Sequence, residues 1–274
     1  MSRRLKAVLH YDGSAYRGWQ RQPDAVTLQG TCERALAGVL GRPTALTAAG
    51  RTDTGVHARG QVAHFDHDAA IAPADLKRAW NARLPEDIWV ERLGWAPAGF
   101  HARRDAVART YRYFVAEGSG SRSPFVGRYS WGIQRPLDWD RVEAATRMLA
   151  GTHDFRRYAK GVPAKREGRN PGQCTVYVAV WRPTRTGRAL EITADRFLRH
   201  MVRALAGALV AVGRRRLTPA DIAAALEPDG PRAAAAHAPP RGLFLWKVAY
   251  FGKPSNPEDR ASEGRAPVDD ARQA

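Results

Sequence analysis

The chain has 274 residues, of which 44% are hydrophobic and 26% charged, a composition typical of globular proteins and unlike that of disordered, collagen-like or channel proteins. Its longest apolar stretch, residues 204–212, is about half of what a bilayer requires, and no signal-peptide core precedes it, so we expect no membrane contact and a cytoplasmic location. The 44 basic residues exceed the 27 acidic ones by 17 charges, which favours a nucleic acid as partner over a basic protein without such a role.

The two cysteines indicate the compartment rather than a metal site. Cys32 and Cys174 lie far apart in the chain, outside any CxxC or Cys/His ligand spacing. We therefore expect two core thiols in a reducing compartment and no structural metal.

Hydrophobic periodicity predicts alternating strands and helices in the first half of the chain. Residues 4–11 alternate apolar and polar side chains, which is typical of a strand with one buried face. Thr27 is a candidate N-cap for a helix that ends at Gly41. The other elements predicted here are a strand at 44–49, a glycine-bounded loop at 50–60, a strand at 61–66, a helix from Pro73 to about Leu84 and a strand at 87–95.

The second half repeats this order. Its predicted elements are a strand at 109–117, a helix at 138–149, strands at 174–180 and 190–194, a helix at 196–212 and a closing strand at 242–250. The pattern indicates an α+β chain built by duplication, with an N-terminal half at 1–105 and a C-terminal half at 106–252. Residues 253–274 lack periodicity and are predicted to be a disordered tail, and their four basic and five acidic residues leave +18 on the rest.

The densest candidate site is the loop AGRTDTGVHARGQ at 49–61, in which glycines permit backbone turns that side chains would obstruct. Between the glycines stand Arg51, Asp53, His57 and Arg59. A carboxylate beside an arginine in a tight loop is expected to stay ionised and to be available as a nucleophile or base. The alternative is an Asp53 that only caps its own loop through backbone hydrogen bonds.

A metal site is the competing interpretation of the next segment, HFDHD at 64–68, which holds two histidines and two aspartates. On a strand, His64, Asp66 and Asp68 share a face and His67 points away, and no second cluster supplies further ligands. The pattern therefore favours a polar strand end over a metal centre.

Two further segments carry polar and aromatic side chains at suggestive spacing. The stretch YDGSAYRGWQRQ at 11–22 interleaves three aromatic residues with Arg17, Gln20 and Arg21, a pattern suited either to base stacking and phosphate binding or to burial in a core. On the predicted 196–212 helix, Arg196, His200 and Arg203 would form one polar stripe, facing solvent, RNA or a loop carboxylate.

Taken together, these segments resemble the TruA family of tRNA pseudouridine synthases. The resemblance covers residues 4–251 and rests on an ordered set of motifs. These are YDGSAYRGWQ at 11–20, AGRTDTGVHARGQVAHF at 49–65, FHAR at 100–103, RTYRY at 109–113, HDF at 153–155, FLRHMVRALAGALVAVG at 197–213 and PPRGLFLWKVAY at 239–250.

The resemblance implies the pseudouridine synthase fold, with two similar α/β halves and mainly antiparallel sheets around an RNA cleft, working as a homodimer without metal or cofactor. It implies isomerisation of uridine at positions 38 to 40 of the tRNA anticodon arm. Asp53 matches the catalytic nucleophile, Tyr111 the active-site tyrosine and Arg203 the arginine that pairs with the catalytic carboxylate. Substrate contacts are expected from Arg51, Tyr111, His57, Arg17, Gln20 and Arg21.

One stretch departs from the family pattern. Residues 156–177 read RRYAKGVPAKREGRNPGQCTVY, and Cys174 stands where the family carries an arginine. The departure concerns the wall of the cleft and hence the range of substrates. Two other classes of function stay open from the residues alone, a non-catalytic RNA-binding or ribosome-assembly factor and a metal-dependent nuclease.

Overall fold

The computed structural model of the protein describes residues 3–68, 71–163, 170–231 and 235–250. In these residues ten strands join in one mainly antiparallel sheet accompanied by helices, which confirms the predicted α+β class. The predicted tail at 253–274 lies outside the described residues, as does 164–169 of the divergent segment. None of the helices within the described ranges has the length and hydropathy needed to cross a bilayer.

The first half of the chain follows the predicted order closely. The helix after Thr27 is confirmed at both ends, because the Thr27 side chain accepts a hydrogen bond from the Gly30 amide and Gly41 ends the helix with a left-handed φ of 69°. The elements are β1 (Arg3–Tyr11), α1 (Leu28–Leu40), β2 (Thr47–Ala48), β3 (His57–His67), α2 (Pro73–Asn81) and β4 (Ile88–Trp95).

The second half contains the predicted long strands and helices together with several short elements. The elements are β5 (Ala108–Glu117), α3 (Pro124–Gly127), β6 (Trp131–Ile133), α4 (Trp139–Arg147), β7 (Gly151–Asp154), β8 (Gln173–Thr184), β9 (Gly187–Ala194), α5 (Met201–Gly213), α6 (Pro219–Ala224) and β10 (Leu243–Ala249). The unpredicted ones, α3, β6, β7 and α6, are three to six residues long, too short for hydrophobic periodicity to reveal them.

The sheet has the strand order β4-β1-β3-β10-β5-β9-β8-β7, with β2 paired to β3 and β6 paired to β5. Strand β1 pairs antiparallel with β3 and β4, and β5 pairs in the same way with β9 and β10. The same three-strand arrangement therefore occurs once in each half. A parallel pairing of β3 with β10 joins the two arrangements in the middle of the sheet.

The main core lies between one face of this sheet and the helices. Leu5, Ala7, Leu9 and Tyr11 of β1 point into it, together with residues of α1, α2, α4, α5 and α6, as the alternation in the sequence predicts. On the other face, Val8 joins a smaller cluster, and much of the surface there stays accessible. Both cysteines are buried free thiols, which confirms the prediction of core thiols.

Several predicted boundaries are wrong. Strand β2 is shorter than 44–49, β3 begins at His57 within the predicted loop, and α2 ends at Asn81. Strand β8 continues to Thr184, β9 begins at Gly187, and α5 begins at Met201 rather than near Arg196. The last difference has a local cause, because His200 adopts a left-handed conformation with φ of 65° and so interrupts any helix that would continue from Arg196.

Candidate active site

The loop that carries Asp53, between β2 and β3, is fixed by hydrogen bonds to the segment that follows β1. The Trp19 amide donates to the Thr52 carbonyl at 3.0 Å, and the Tyr11 and Thr52 hydroxyls lie 2.8 Å apart. At the start of the loop, the Gln61 side-chain amide donates to the Gly50 carbonyl at 2.7 Å. The backbone on both sides of Asp53 is therefore fixed by contacts with residues distant in sequence.

Two glycines of the 11–20 motif make this contact possible. A Cβ at Gly13 would lie 2.0 Å from the Val56 carbonyl oxygen, and one at Gly18 would lie 2.8 Å from the Thr52 carbonyl oxygen. Gly18 also has a φ of 86°, a conformation that side chains disfavour. The YDGSAYRGWQ and RTDTGVHA motifs thus form one packed unit in the fold.

The aromatic residues of the same segment belong to the core. Tyr11, Tyr16 and Trp19 are each at most 5% exposed, and the Tyr16 hydroxyl donates to Asp87 at 2.7 Å. The base-stacking interpretation of these three side chains is therefore wrong. The structure confirms the alternative, that they are buried in the core.

Asp53 presents a partly exposed carboxylate, 28% accessible, at the top of its loop. Its backbone carbonyl accepts from the Val56 amide at 3.1 Å, which closes the turn. The Asp53 Oδ2 atom lies 3.6 Å from Nε2 of His200, the residue that precedes α5. A carboxylate that the backbone holds in place while leaving it accessible can act on a bound substrate as a nucleophile or base.

Tyr111 reaches the same place from β5. Its ring packs edge-to-face against Phe197, with centroids 5.0 Å apart. Burial, and after it the nearby charge of Asp53, raises the pKa of the Tyr111 phenol well above its usual value. The hydroxyl is therefore protonated at neutral pH and is available as a hydrogen-bond donor to a substrate.

The expected pairing of Arg203 with Asp53 is absent among the described residues. The Arg203 Nε donates instead to the Ala238 carbonyl at 2.8 Å, and the Ala238 amide donates back to the Arg203 carbonyl at 3.0 Å. The predicted polar stripe is likewise absent, because Arg196 and His200 precede the helix. Arg203 ties the segment before β10 to α5, and the imidazole of His200 occupies the place beside Asp53.

Comparison with known proteins identifies the family. The family model described as tRNA pseudouridine synthase matches residues 7–103 and 145–251. A tRNA pseudouridine synthase A of Pelodictyon phaeoclathratiforme is 39% identical over 248 residues, which are 90% of this chain and 99% of the relative. Those of Thermotoga maritima and Bacillus velezensis are 36% and 38% identical over 90% of this chain and 100% and 99% of their own lengths. The chain belongs to the tRNA pseudouridine synthase family.

Membership makes the chain an isomerase of uridine in tRNA. The reaction breaks the N1–C1′ bond of a uridine and forms a C5–C1′ bond in its place. N1 ends with a proton and C5 loses one, so that no atom is gained or lost. The matched ranges include the Asp53 loop and the helix α5 of the synthase.

The polar residues predicted to contact the substrate of the synthase divide into two groups. Arg51, Arg17, Gln20 and Arg21 are exposed around the loop. The Arg21 guanidinium lies 3.4 Å from Glu33, whereas those of Arg17 and Arg51 pair with no carboxylate among the described residues. Exposed guanidinium groups of this kind are available to bind phosphate.

His57 lies beneath the loop rather than on its surface. The side chain is fully buried, with Nδ1 3.0 Å from Asp12 Oδ1 and Nε2 3.2 Å from the Arg241 carbonyl. Burial alone would raise the pKa of Asp12, but hydrogen bonds from Ser14 and from the Tyr129 hydroxyl outweigh it and lower the pKa of that carboxyl to about 2. In this structure His57 supports the loop and has no surface to offer a substrate.

The residues of the HFDHD segment have separate partners. Asp66 forms an ion pair with Arg4 at 2.8 Å, and Asp68 pairs with Arg42. His64 and His67 are buried, and His64 Nδ1 accepts from the Ala102 amide at 3.1 Å. Over the described ranges, no three His, Cys, Asp or Glu side chains come together as a metal site would require.

Sequence reasoning did not single out two residues that organise this site. Arg109 is half-buried, and its guanidinium donates to four backbone carbonyls, those of Ala49, Arg103, Ala106 and Asp195. It thereby links the start of the Asp53 loop to the end of β9. The second residue is His200, which appeared in the sequence only as part of a supposed helical stripe. Neither role has a local signal, because the partners are distant in sequence.

Proposed function

We propose that this synthase converts uridines at positions 38 to 40 of the tRNA anticodon arm to pseudouridine, with Asp53 as the catalytic nucleophile. The observation that carries the proposal is the Asp53 carboxylate itself, held by its backbone and accessible beside Tyr111 and His200. The resemblance of the whole 4–251 region to the TruA family supports the choice of the anticodon arm.

A stacked uridine does not expose its sugar and base to a carboxylate, so the nucleotide is extruded from the stem-loop into the site. Arg51, Arg17 and Arg21, exposed around the Asp53 loop, hold phosphates of the flanking nucleotides, and Gln20 adds a polar contact. His57, being buried, contributes by supporting the loop.

Asp53 acts on the flipped nucleotide by one of two routes. It attacks C1′, so that an O–C1′ bond forms as the N1–C1′ bond breaks, or it removes a proton from the sugar and returns that proton when the base rejoins. In both routes the uracil detaches, turns and rejoins through C5, and the carboxylate is released. Tyr111 stacks on the uracil during this rotation and assists the final loss of the C5 proton, because its oxygen takes up that proton as its own O–H proton passes to water. Arg203 contributes indirectly, because its positive charge disfavours protonation of His200 beside Asp53.

A tritium-release assay with tRNA labelled at C5 of uridine tests the reaction. We expect release in the presence of EDTA, from transcripts that retain a single uridine at 38, 39 or 40, and no release when all three are replaced by cytidine. Strand cleavage that requires magnesium would instead support a nuclease, and binding without release an RNA-binding factor. Release from the triply replaced transcript would overturn the assignment to these positions.

The variant Asp53→Asn tests the role of the carboxylate. The side chain is nearly isosteric and uncharged, so we expect a loss of at least ~10³-fold in kcat/KM, or about 4 kcal/mol at the barrier. Binding of tRNA, measured by filter retention, should change less than threefold. Activity within tenfold of the wild type would remove Asp53 from the mechanism.

The proposed assembly is a homodimer that acts in the cytoplasm, where tRNA and reducing conditions for the free thiols Cys32 and Cys174 coincide. We infer that a second copy of the chain packs against the sheet face opposite the helices. This face exposes Trp89, and it carries both acidic and basic groups, so that two copies related by a twofold axis complement each other. A groove at the β4 edge includes Lys6, Val8, Arg59, Glu91 and Trp246 of the sheet together with Pro73 and Lys77 of α2.

Light scattering after size exclusion tests the dimer. We expect the wild type to elute at twice the mass of the chain and Trp89→Glu at the mass of one chain. Phe125→Ser, at an exposed apolar residue of α3, serves as the matched control and should stay dimeric. A monomeric wild type at micromolar concentration would contradict the proposal.

A further inference from the structure

His200 is the ionisable side chain that the structure brings closest to Asp53 among the described residues. Its Nε2 atom lies 3.6 Å from Asp53 Oδ2, slightly beyond hydrogen-bonding distance. The imidazole is 17% exposed, so the approach is partly shielded from water. Distances of this kind shorten in many enzymes when the substrate binds and excludes solvent.

The backbone at His200 is held in an unfavourable conformation that aims the ring at the loop. Its φ is 65°, and only one other non-glycine residue in the described ranges, Arg215, has a positive φ. If the helix instead ran continuously from Arg196, the His200 side chain would project from the helix in a different direction. Strained residues of this type persist where the surrounding structure requires them, and they concentrate at functional sites.

The other ring nitrogen shows which tautomer is present. His200 Nδ1 is buried and has no hydrogen-bond partner within the described residues. A buried N–H without an acceptor costs more than a buried lone pair without a donor. The tautomer with its proton on Nε2 is therefore favoured, and that proton points at the Asp53 carboxylate.

The charges around the ring keep it neutral. Burial lowers the pKa of His200, and Arg203, Arg199 and Lys160 lower it further. Asp53 acts in the opposite direction, and the ring of His237 packs edge-to-face at 5.5 Å without a hydrogen bond. A neutral donor can orient a carboxylate while leaving its negative charge available for the reaction.

We propose that His200 is a positioning residue, which donates a hydrogen bond from Nε2 to Asp53 Oδ2 in the complex with tRNA and so aims the second carboxylate oxygen at the flipped uridine. The proposal rests on the function proposed for Asp53 and adds to it a residue that the family resemblance did not assign. It also assigns an indirect role to Arg203, whose charge lowers the pKa of the His200 imidazole.

The test compares His200→Gly with the wild type in single-turnover tritium release. Glycine accepts the positive φ, so the variant removes the ring without adding backbone strain. We expect kcat to fall on the order of 100-fold, because misplacement of a reacting group by about 1 Å has that effect, while KM for tRNA changes less than threefold. Added imidazole should restore at least tenfold of the loss, and the rescue should increase with pH as the neutral form of imidazole accumulates.

Three matched variants separate the possible results. His200→Gln, which carries an N–H near the position of Nε2, should retain more activity than His200→Gly. His237→Ala, which removes the neighbouring ring, should stay within threefold of the wild type. If Asp53→Asn is inactive while His200→Gly is fully active or is not rescued by imidazole, the proposal for His200 fails and the function of Asp53 stands. If Asp53→Asn is active, the proposed function itself fails.

Discussion

At the scale of single residues, the site combines a carboxylate with side chains that carry no formal charge at neutral pH. Burial and the Asp53 charge raise the pKa of Tyr111, and burial with the surrounding cations lowers that of His200. Both side chains therefore face Asp53 as neutral hydrogen-bonding groups. The cations Arg17, Arg21 and Arg51 are exposed, and we expect them to bind phosphates rather than the reacting base.

The variant Tyr111→Phe tests what the phenol contributes. The ring and its edge-to-face contact with Phe197 are retained and only the hydroxyl is lost, so we expect tRNA affinity and melting temperature to change little. If the hydroxyl passes on the C5 proton, single-turnover release of tritium should slow by about 10²-fold or more. A rate equal to that of the wild type would limit Tyr111 to stacking.

At the scale of elements, the Asp53 loop takes its shape from the close approach of the segment after β1. A Cβ at Gly13 would meet the Val56 carbonyl oxygen at 2.0 Å, and both partners are backbone that cannot turn aside. A Cβ at Gly50, in the same loop, meets nothing within 4 Å. These two glycines therefore provide a matched pair of variants.

We expect Gly13→Ala to displace the loop and to lower kcat/KM on the order of 100-fold, whereas Gly50→Ala should stay within threefold of the wild type. The measurement is tritium release, read beside circular dichroism to confirm that both variants fold. Equal activity of the two variants would show that the contact at Gly13 does not set the position of Asp53.

The second prediction at this scale concerns β3, which carries the buried His64. Its Nδ1 accepts from the Ala102 amide, so the neutral ring is required, and burial together with Arg4 and His101 lowers the pKa of His64 to about 4. The unfolded chain takes up a proton near the usual value of about 6.5. Stability is therefore lost as the pH falls from about 6.5 to about 4, by up to roughly 3 kcal/mol.

Urea denaturation at pH 7 and pH 4.5 measures this loss. His64→Asn replaces the ring with an amide oxygen that can accept from the Ala102 amide and does not titrate. We expect the free energy of unfolding of this variant to depend less on pH than that of the wild type. Parallel pH dependences would show that His64 is not the group responsible.

At the scale of the whole molecule, the net charge of +18 on residues 1–252 predicts binding to tRNA that weakens with salt. Each phosphate contact to a single-stranded segment contributes a slope on the order of −0.7 in a plot of log affinity against log salt. We expect a steep decline between about 50 and 300 mM salt, and a flat response would contradict an electrostatic interface.

Single substitutions locate the contacts. Arg51→Gln should reduce the magnitude of the slope by about one contact, because Arg51 is exposed beside Asp53. Arg78→Gln on α2 is the control, since Arg78 is equally exposed but pairs with Asp75 at 2.8 Å, and its slope should match the wild type. Equal slopes for the three proteins would place the phosphates elsewhere.

The sequence alone was sufficient for several features that depend on local pattern. Alternation of apolar residues predicted β1 and its buried face, Thr27 and Gly41 predicted both ends of α1, and the glycine-bounded loop drew attention to Asp53. The excess of arginine predicted a nucleic acid, and the ordered motifs pointed to the family that the comparisons show. These signals are local because caps, turns and strand faces arise from residues close together in the chain.

Only the tertiary structure decided which of these residues meet. It packed Gly13 and Gly18 against the Asp53 loop, and it buried Tyr16 and Trp19, which sequence reasoning had left between core and cleft. It also began the predicted helix only after a strained His200, which placed an imidazole beside Asp53, and it directed Arg203 to the Ala238 carbonyl. These placements depend on contacts between distant segments of the chain. Helical spacing cannot predict them, because it assumes a helical backbone and those contacts impose a different conformation.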